Sequence, residues 1–362
     1  MRPVRIVLVA CVLLLVPSEA LAWGPAAHIE FGLAMLRDLA LLAPALAALL
    51  GRFSDDFLYG SIAADITVAK NLSPYHLHCH NWQVGFSVLD LAESDATRAF
   101  AWGYLSHLAA DTVAHNYFVP IKTIETWQRR ATSHAYWEIR FDTRVEREVW
   151  GVIRKLSTRA YKEHDRHLRH ILTGPLFPFR FNKQIFNNMV LFSRVLQWQR
   201  MVEAHARRSR RVLSAEEVEE SRCMSLARIA DLLARGPQAR CVLADPTGHR
   251  NLLIARDLRK RLRALDRHGR LRDPAELGAL FRPLFREAIE DKLDLPSLLD
   301  LALPGSGVVP ERASRRRRGL LAEPGELSRR LRAASMRIRR RMRRNRLARS
   351  SESRAPWPPE DS

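Results

Sequence analysis

The chain has 362 residues, 47% of them hydrophobic, and its 59 Lys and Arg against 39 Asp and Glu give a formal net charge of +20. That is enough apolar material for one large domain or two small ones. Nothing after the first 22 residues is long and apolar enough to read as a transmembrane helix. More than half of the excess positive charge falls after Arg312, so the preceding body is only mildly basic and the overall charge says little about an active site.

Arg2 and Arg5 precede the apolar stretch Ile6 to Val16, and Ala20-Leu21-Ala22 has the small-x-small form of a cleavage site. The segment reads as a secretory leader removed after Ala22, which predicts an exported, periplasmic or secreted protein whose first residue is Trp23. The alternative start at Cys11, in a lipoprotein-like context, is disfavoured because the apolar run continues past it to Val16. Cys79, Cys223 and Cys241 then remain. The last two could pair in an oxidising compartment, although sequence does not establish it.

Only 16 glycines interrupt long Leu/Ala/Arg stretches, which favours helix throughout. Residues 27–51 read as a first helix with Ile29, Leu33, Met35, Leu36 and Leu39 on an apolar face. Gly60 to Ala69 is apolar and carries a single charge, Asp65. A carboxylate in such a run needs a partner. Ser94 or Asp95 is an N-cap for a helix from Ala96 to Phe118, and Trp127 to Val145 reads as the next. Past residue 150 the chain is Arg-rich, with an apolar break at Gly174 to Phe179 and helices near 182–210, 215–235, 249–268 and 274–300. A Pro/Gly linker near 304–310 leads into a basic tail. We therefore expect an all-α fold in which residues 23–300 form the helical domain and 301–362 a linker and Arg-rich tail.

The chemistry-bearing residues are concentrated in the first half. Trp23 and His28, Asp65, the run His78-Cys79-His80, the stripe His107, Asp111, His115, and the pair His134 and Glu138 form an inventory of metal ligands. Zinc takes imidazole nitrogen and carboxylate oxygen. A helix offers two such groups to one ion when they are four residues apart, because each four-residue step drifts only about 40° around the axis. One such pair is a weak signal. Two of them, following Trp23 and His28 at a leader boundary, are a strong one. Cys79 could be a soft ligand, but its neighbouring histidines already supply a site. Glu163 to His170 is dense in histidine, and its charged surroundings favour a solvated helix face. Trp82, Trp102, Tyr117 and Phe118 read as core and pocket wall.

These motifs resemble the zinc-dependent phospholipase C family, together with the related trinuclear zinc nucleases and the lipase-like domain of phosphatidylinositol-glycan-specific phospholipases D. The resemblance covers roughly residues 23–150 and implies three zinc ions. In that family the N-terminal Trp binds zinc through its own amine and carbonyl. Carried over, Trp23 and His28 would hold one ion, with Asp111 bridging to a second. Asp65, His107 and either His78 or His80 would complete that second site, with His78 favoured from its spacing to Asn81. His115, His134 and Glu138 would hold the third. Many members space the third-site histidine six residues after the bridging Asp, with an intervening Pro, and this chain uses four and lacks that Pro. That departure leaves the substrate class open.

Paired zinc ions suit phosphodiester hydrolysis by polarising the phosphate and activating water, and Asp65 could orient or deprotonate that water. A phospholipid substrate is expected, with a nuclease or other phosphodiesterase, or a non-catalytic metal-braced surface-binding protein, as the alternatives. In the tail, Leu327, Leu331, Ala334, Ile338 and Met342 step by three or four among arginines. Such a basic amphipathic helix suits an anionic membrane surface. Nucleic acid is a less favoured partner, since no aromatic residues interleave the arginines.

Overall fold

The computed structural model describes residues 23–66, 78–128, 134–159, 161–172, 183, 213–266 and 274–290, with the side chains of 134, 135, 265 and 274–276 excepted. The expected leader, the 174–179 break, the expected 182–210 helix apart from residue 183, the linker and the basic tail lie outside the described residues. Among the described residues the chain is all-α, with no strand. None of the described helices is long and apolar enough to cross a membrane.

The expected first helix is two. α1 spans Pro25–Arg37 and α2 spans Pro44–Arg52, with a 3₁₀ turn Leu39–Leu41 between them. Pro44 explains the break: it has no N–H to give to a preceding turn, and its fixed φ suits the first position of a new helix. α3, Ser54–Ala63, ends in the 3₁₀ turn Ala64–Ile66 that presents Asp65. α4 is Trp82–Asp90, capped by Asn81, whose side chain accepts from Gln83 N–H at 2.8 Å.

α5, Asp95–Val113, is the centre of the fold. Ser94 caps it, accepting from Thr97 N–H. Its residues from Thr97 onward are buried on nearly every side, as expected of a helix whose whole circumference is apolar or small. α3 crosses it closely. A Cβ at Gly60 would fall on the Phe100 carbonyl, and one at Gly103 on the Phe57 carbonyl. Two glycines thus let the backbones touch where the metal-ligand candidates of both helices are carried.

The helix expected to run unbroken to Phe118 changes character after Val113. Residues Ala114–Phe118 form a π turn, followed by α6, Val119–Glu125, with Pro120 in its first turn. Pro120 has no N–H to donate to the Asn116 carbonyl, and its ring would clash with that group in a regular helix. The wider turn resolves the clash. The freed Asn116 carbonyl accepts instead from Asn251 Nδ2 at 3.2 Å.

α7 is His134–Asp142, shorter than expected, followed by α8, Arg147–Thr158, and α9, Lys162–Ile171. α10, Ala215–Arg235, begins with a capping box in which Ser214 and Glu217 bond reciprocally, and ends at Gly236 in the left-handed region (φ 55°). α11 is His249–Asp266 and α12 is Pro274–Glu287. α10 packs along α5, while α11 and α12 pack on α6. A shielded ion network secures them. The Lys122 ammonium donates to Glu125 (2.9 Å) and Glu217 (2.6 Å), and Arg282 meets the same two carboxylates.

Cys223 and Cys241 are unpaired. The Cys223 thiol donates to Glu219 and the Cys241 thiol to the Arg228 carbonyl.

Candidate metal centre

α1, α3 and α5, with the turn before α4, bring five residues to one buried point. His28 Nε2 lies 3.3 Å from Asp111 Oδ1. His107 Nε2 and His80 Nε2 lie 3.2 and 3.1 Å from Asp111 Oδ2. Asp65 Oδ1 is 3.3 Å from His80 Nε2, and the His80 and His107 Nε2 atoms are 3.0 Å apart. The His28 and His107 rings stack at 3.8 Å. The ligand atoms of His28, His107 and Asp111 all lie within 4.8 Å of one another, as do those of Asp65, His80 and His107.

This geometry could hold a cation. Both Asp111 oxygens and His28 Nε2 are buried without a properly formed hydrogen bond, although each has a complementary atom at hydrogen-bond distance. Buried polar groups are almost always satisfied. A buried carboxylate and imidazole nitrogen that converge without a well-formed bond are what a shared cation would leave. The protonation states agree. Burial pushes the Asp111 carboxyl up, but His107, followed by His28 and His80, more than offsets this and holds it well below the usual carboxylate range. Burial and then the neighbouring His107 pull the His28 imidazole down to about 4. Near neutral pH the set is therefore an ionised carboxylate facing a neutral imidazole, the forms that bind metal.

Outer contacts aim the rings. His107 Nδ1 faces the Ser61 carbonyl at 2.9 Å. A carbonyl only accepts, so this nitrogen carries a proton, and in the neutral ring Nε2 is the atom left to present its lone pair to the cluster. The Tyr104 hydroxyl donates to the Cys79 carbonyl at 2.5 Å, fastening the turn that holds His80 immediately before the Asn81 cap.

That turn carries both histidines which spacing left open. His80, buried, faces Asp65, His107 and Asp111. His78 is half-buried, its Nδ1 accepts from the His80 backbone N–H at 3.1 Å, and with Cys79 and His80 it forms a further group that could hold a metal ion. Asn81, read as part of the His78 spacing pattern, caps α4. His115 is buried in the π turn, with Nδ1 2.5 Å from the Pro246 carbonyl. Glu138 is buried on α7. His134 opens α7, and its side chain lies outside the described residues. The histidine-rich α9 has the expected solvated face at Glu163, Arg166, Arg169 and His170, but two of its histidines turn inward. His164 is buried, 2.7 Å from Asp56 and stacked on Phe100, while His167 bonds the Val88 carbonyl.

Trp23 is fully buried. Its indole N–H donates to the Ala110 carbonyl at 3.0 Å, beside Asp111, and its ring packs on Phe31, Phe118 and Phe141. Sequence reasoning missed what holds this segment. Asp142, at the far end of α7, accepts from the backbone N–H groups of Ala26 (3.2 Å) and Ala27 (3.0 Å), capping α1 from 115 residues away. Gly24 leaves the room, since a Cβ there would fall on the Asp142 carboxyl. Burial raises that carboxyl to about 7, against the pull of the two N–H groups. Asp142 stands four residues after Glu138, and that one-turn step was the only signal available. Asp142→Ala strands two buried N–H donors and should cost about 2 kcal/mol or more of stability, read as a lower urea midpoint. An unchanged midpoint would show that the cap carries no weight.

A cavity of about 640 Å³ opens at the N-terminal end of α3, the end remote from Asp65, lined by Arg52, Asp55, Asp56, Arg159, Lys162 and His164 among others. Asp55 already pairs with Lys155 and Arg159 there.

The fold and site define an all-helical chain with a buried cluster of imidazoles and carboxylates that could hold a metal ion. Over residues 27–176 the chain matches the family of zinc-dependent phospholipase C. It is accordingly a zinc-dependent, phospholipase C-like hydrolase. No curated protein and no solved structure matches the chain.

Proposed function

We propose that the chain is exported, begins at Trp23 after cleavage following Ala22, and hydrolyses a phosphodiester bond of a phospholipid at a centre of three zinc ions. The observation that carries this reading is the convergence of His28, Asp65, His80 and His107 around the buried Asp111 carboxylate. Asp111 would bridge a first site, made by His28 with the amine and carbonyl of Trp23, and a second, made by Asp65, His80 and His107. His115, His134 and Glu138 would make the third. When bound, zinc supplies Lewis acidity towards phosphate oxygens and towards water.

The chain's own residues set up the rest. Ser61 and the Cys79 turn fix the imidazoles, and Asp111 supplies the negative charge that balances the cations. Asp65, the least buried member of the cluster at 8% exposure, would orient an attacking water and accept its proton. The Arg-rich tail would hold the protein to an anionic lipid surface.

Phosphatidylcholine, phosphatidylinositol, a bis-aryl phosphodiester and single-stranded DNA, each with and without a chelator, test the proposal. We expect hydrolysis of a phospholipid that the chelator abolishes. Cleavage confined to DNA would make the protein a nuclease, and zinc-replete protein inert on all four would leave the metal a structural role. The α-amine of Trp23, with an ordinary pKa of about 7.7–8.0, can deprotonate onto zinc. A form with one extra residue ahead of Trp23 should therefore hold less zinc. Equal zinc content in both forms would remove Trp23 from the ligand set.

A further inference from the structure

The residues that follow the family segment also reach the site. We infer that the turn Asp245-Pro246-Thr247-Gly248, leading into α11, is a positioning element that fixes the His115 ring in the form able to bind zinc. This rests on the proposed role of His115 in the third site.

Three independent contacts converge on His115 and its neighbour. His115 Nδ1 faces the Pro246 carbonyl at 2.5 Å. The carbonyl has no proton to give, so Nδ1 is the protonated nitrogen and Nε2 the one with the lone pair. Asn116 Nδ2 donates to the Asp245 carbonyl at 2.8 Å, and Asn251 Nδ2 donates back to the Asn116 carbonyl at 3.2 Å. That last carbonyl is the one left open by Pro120, so the π turn and α11 are joined by an exchange of hydrogen bonds that a regular helix would not offer. Gly248, at φ 54°, lies against the His115 backbone, where a Cβ would fall on both its Cβ and its carbonyl.

The turn holds its own shape. The Asp245 carboxyl accepts from Thr247 N–H (3.0 Å) and the Thr247 hydroxyl (2.7 Å), and Gly248 N–H donates to the Asp245 carbonyl at 2.9 Å. Trp82, on α4, donates from its indole to the Ala244 carbonyl at 2.8 Å. A rigid turn bonded to two core helices thus presents one carbonyl to one imidazole. Such outer partners set ring orientation and tautomer.

The test compares the full chain with Gly248→Ala and with Gly236→Ala. Gly236 is also left-handed, but a Cβ there meets nothing nearer than the Trp102 ring at 3.8 Å, so the second variant controls for backbone strain alone. Zinc per chain and release to a competing chelator are measured on all three. Gly248→Ala should bind its weakest zinc about 10–100-fold less tightly, with the remaining zinc and the helical circular dichroism unchanged, while Gly236→Ala behaves as the parent. Equal zinc affinities in the two variants would overturn the inference and leave the hydrolase reading standing. A parent chain free of zinc would end both. Should Gly248→Ala fail to fold, ring ¹⁵N resonances of the unaltered protein decide, with His115 identified by its loss in His115→Gln. A proton on Nδ1 supports the positioning role, and a proton on Nε2 excludes it.

Discussion

Asp111→Asn should be the most damaging single substitution of a carboxylate in this protein. The Asp111 side chain is fully buried and lies within 3.3 Å of three imidazoles, those of His28, His80 and His107. The amide has nearly the same shape, so packing survives, but the charge that would balance the two proposed cations is gone. One of its atoms would also be an N–H₂ donor aimed into the cluster. Since loss of an outer partner alone shifts metal affinity by about 10–100-fold, loss of a direct ligand shared by two ions should exceed that, and turnover should fall by a larger factor than for Glu138→Gln, which touches only the third site. Zinc counting and turnover on the two variants decide. A full zinc complement with near-parental turnover in Asp111→Asn would show that Asp111 bridges nothing.

Gly103→Ala should have the largest effect on stability. One methyl group at Gly103 would occupy the position of the Phe57 carbonyl on α3. The obstacle is backbone, which cannot rotate aside, so α3 and α5 must separate. Overpacking of this kind costs about 3 kcal/mol, and the separation would also move the Ser61 carbonyl away from His107 Nδ1 and Asp65 away from His80. Thermal unfolding with zinc present and absent provides the measurement. Gly151, inside α8 with nothing near it, is the control position, and its Ala variant should unfold no earlier than the parent. Equal melting of the Gly103 and Gly151 variants would refute the close crossing.

Much of this was legible because it depends on local periodicity. The all-α class, the Ser94 cap, the 215–235 helix and the convergence of His107 and Asp111 all follow from what one helical turn can do. The candidate ligands also came from spacing, up to the place where spacing stops being informative. His78 and His80 are two residues apart in an irregular turn, and the contacts that hold that turn, from Tyr104 and the Asn81 cap, have no periodicity. His115 shows a different limit. Its four-residue step from Asp111 assumed 3.6 residues per turn, but Pro120, five residues on, imposes a π turn and changes the register. That proline was visible, as was Pro44, which divides the first helix. The Asp142 cap and the Asp245–Gly248 turn were not, because each acts on a residue more than a hundred positions away.

The central claim is that the buried cluster around Asp111 is a zinc centre, and elemental analysis of the purified chain beginning at Trp23 tests it most directly. The account predicts about three zinc ions per chain, held by imidazole nitrogen and carboxylate oxygen, and their loss together with phosphodiester hydrolysis on dialysis against a strong chelator. Less than one zinc per chain after purification in zinc-containing buffer, with the fold intact, would contradict it.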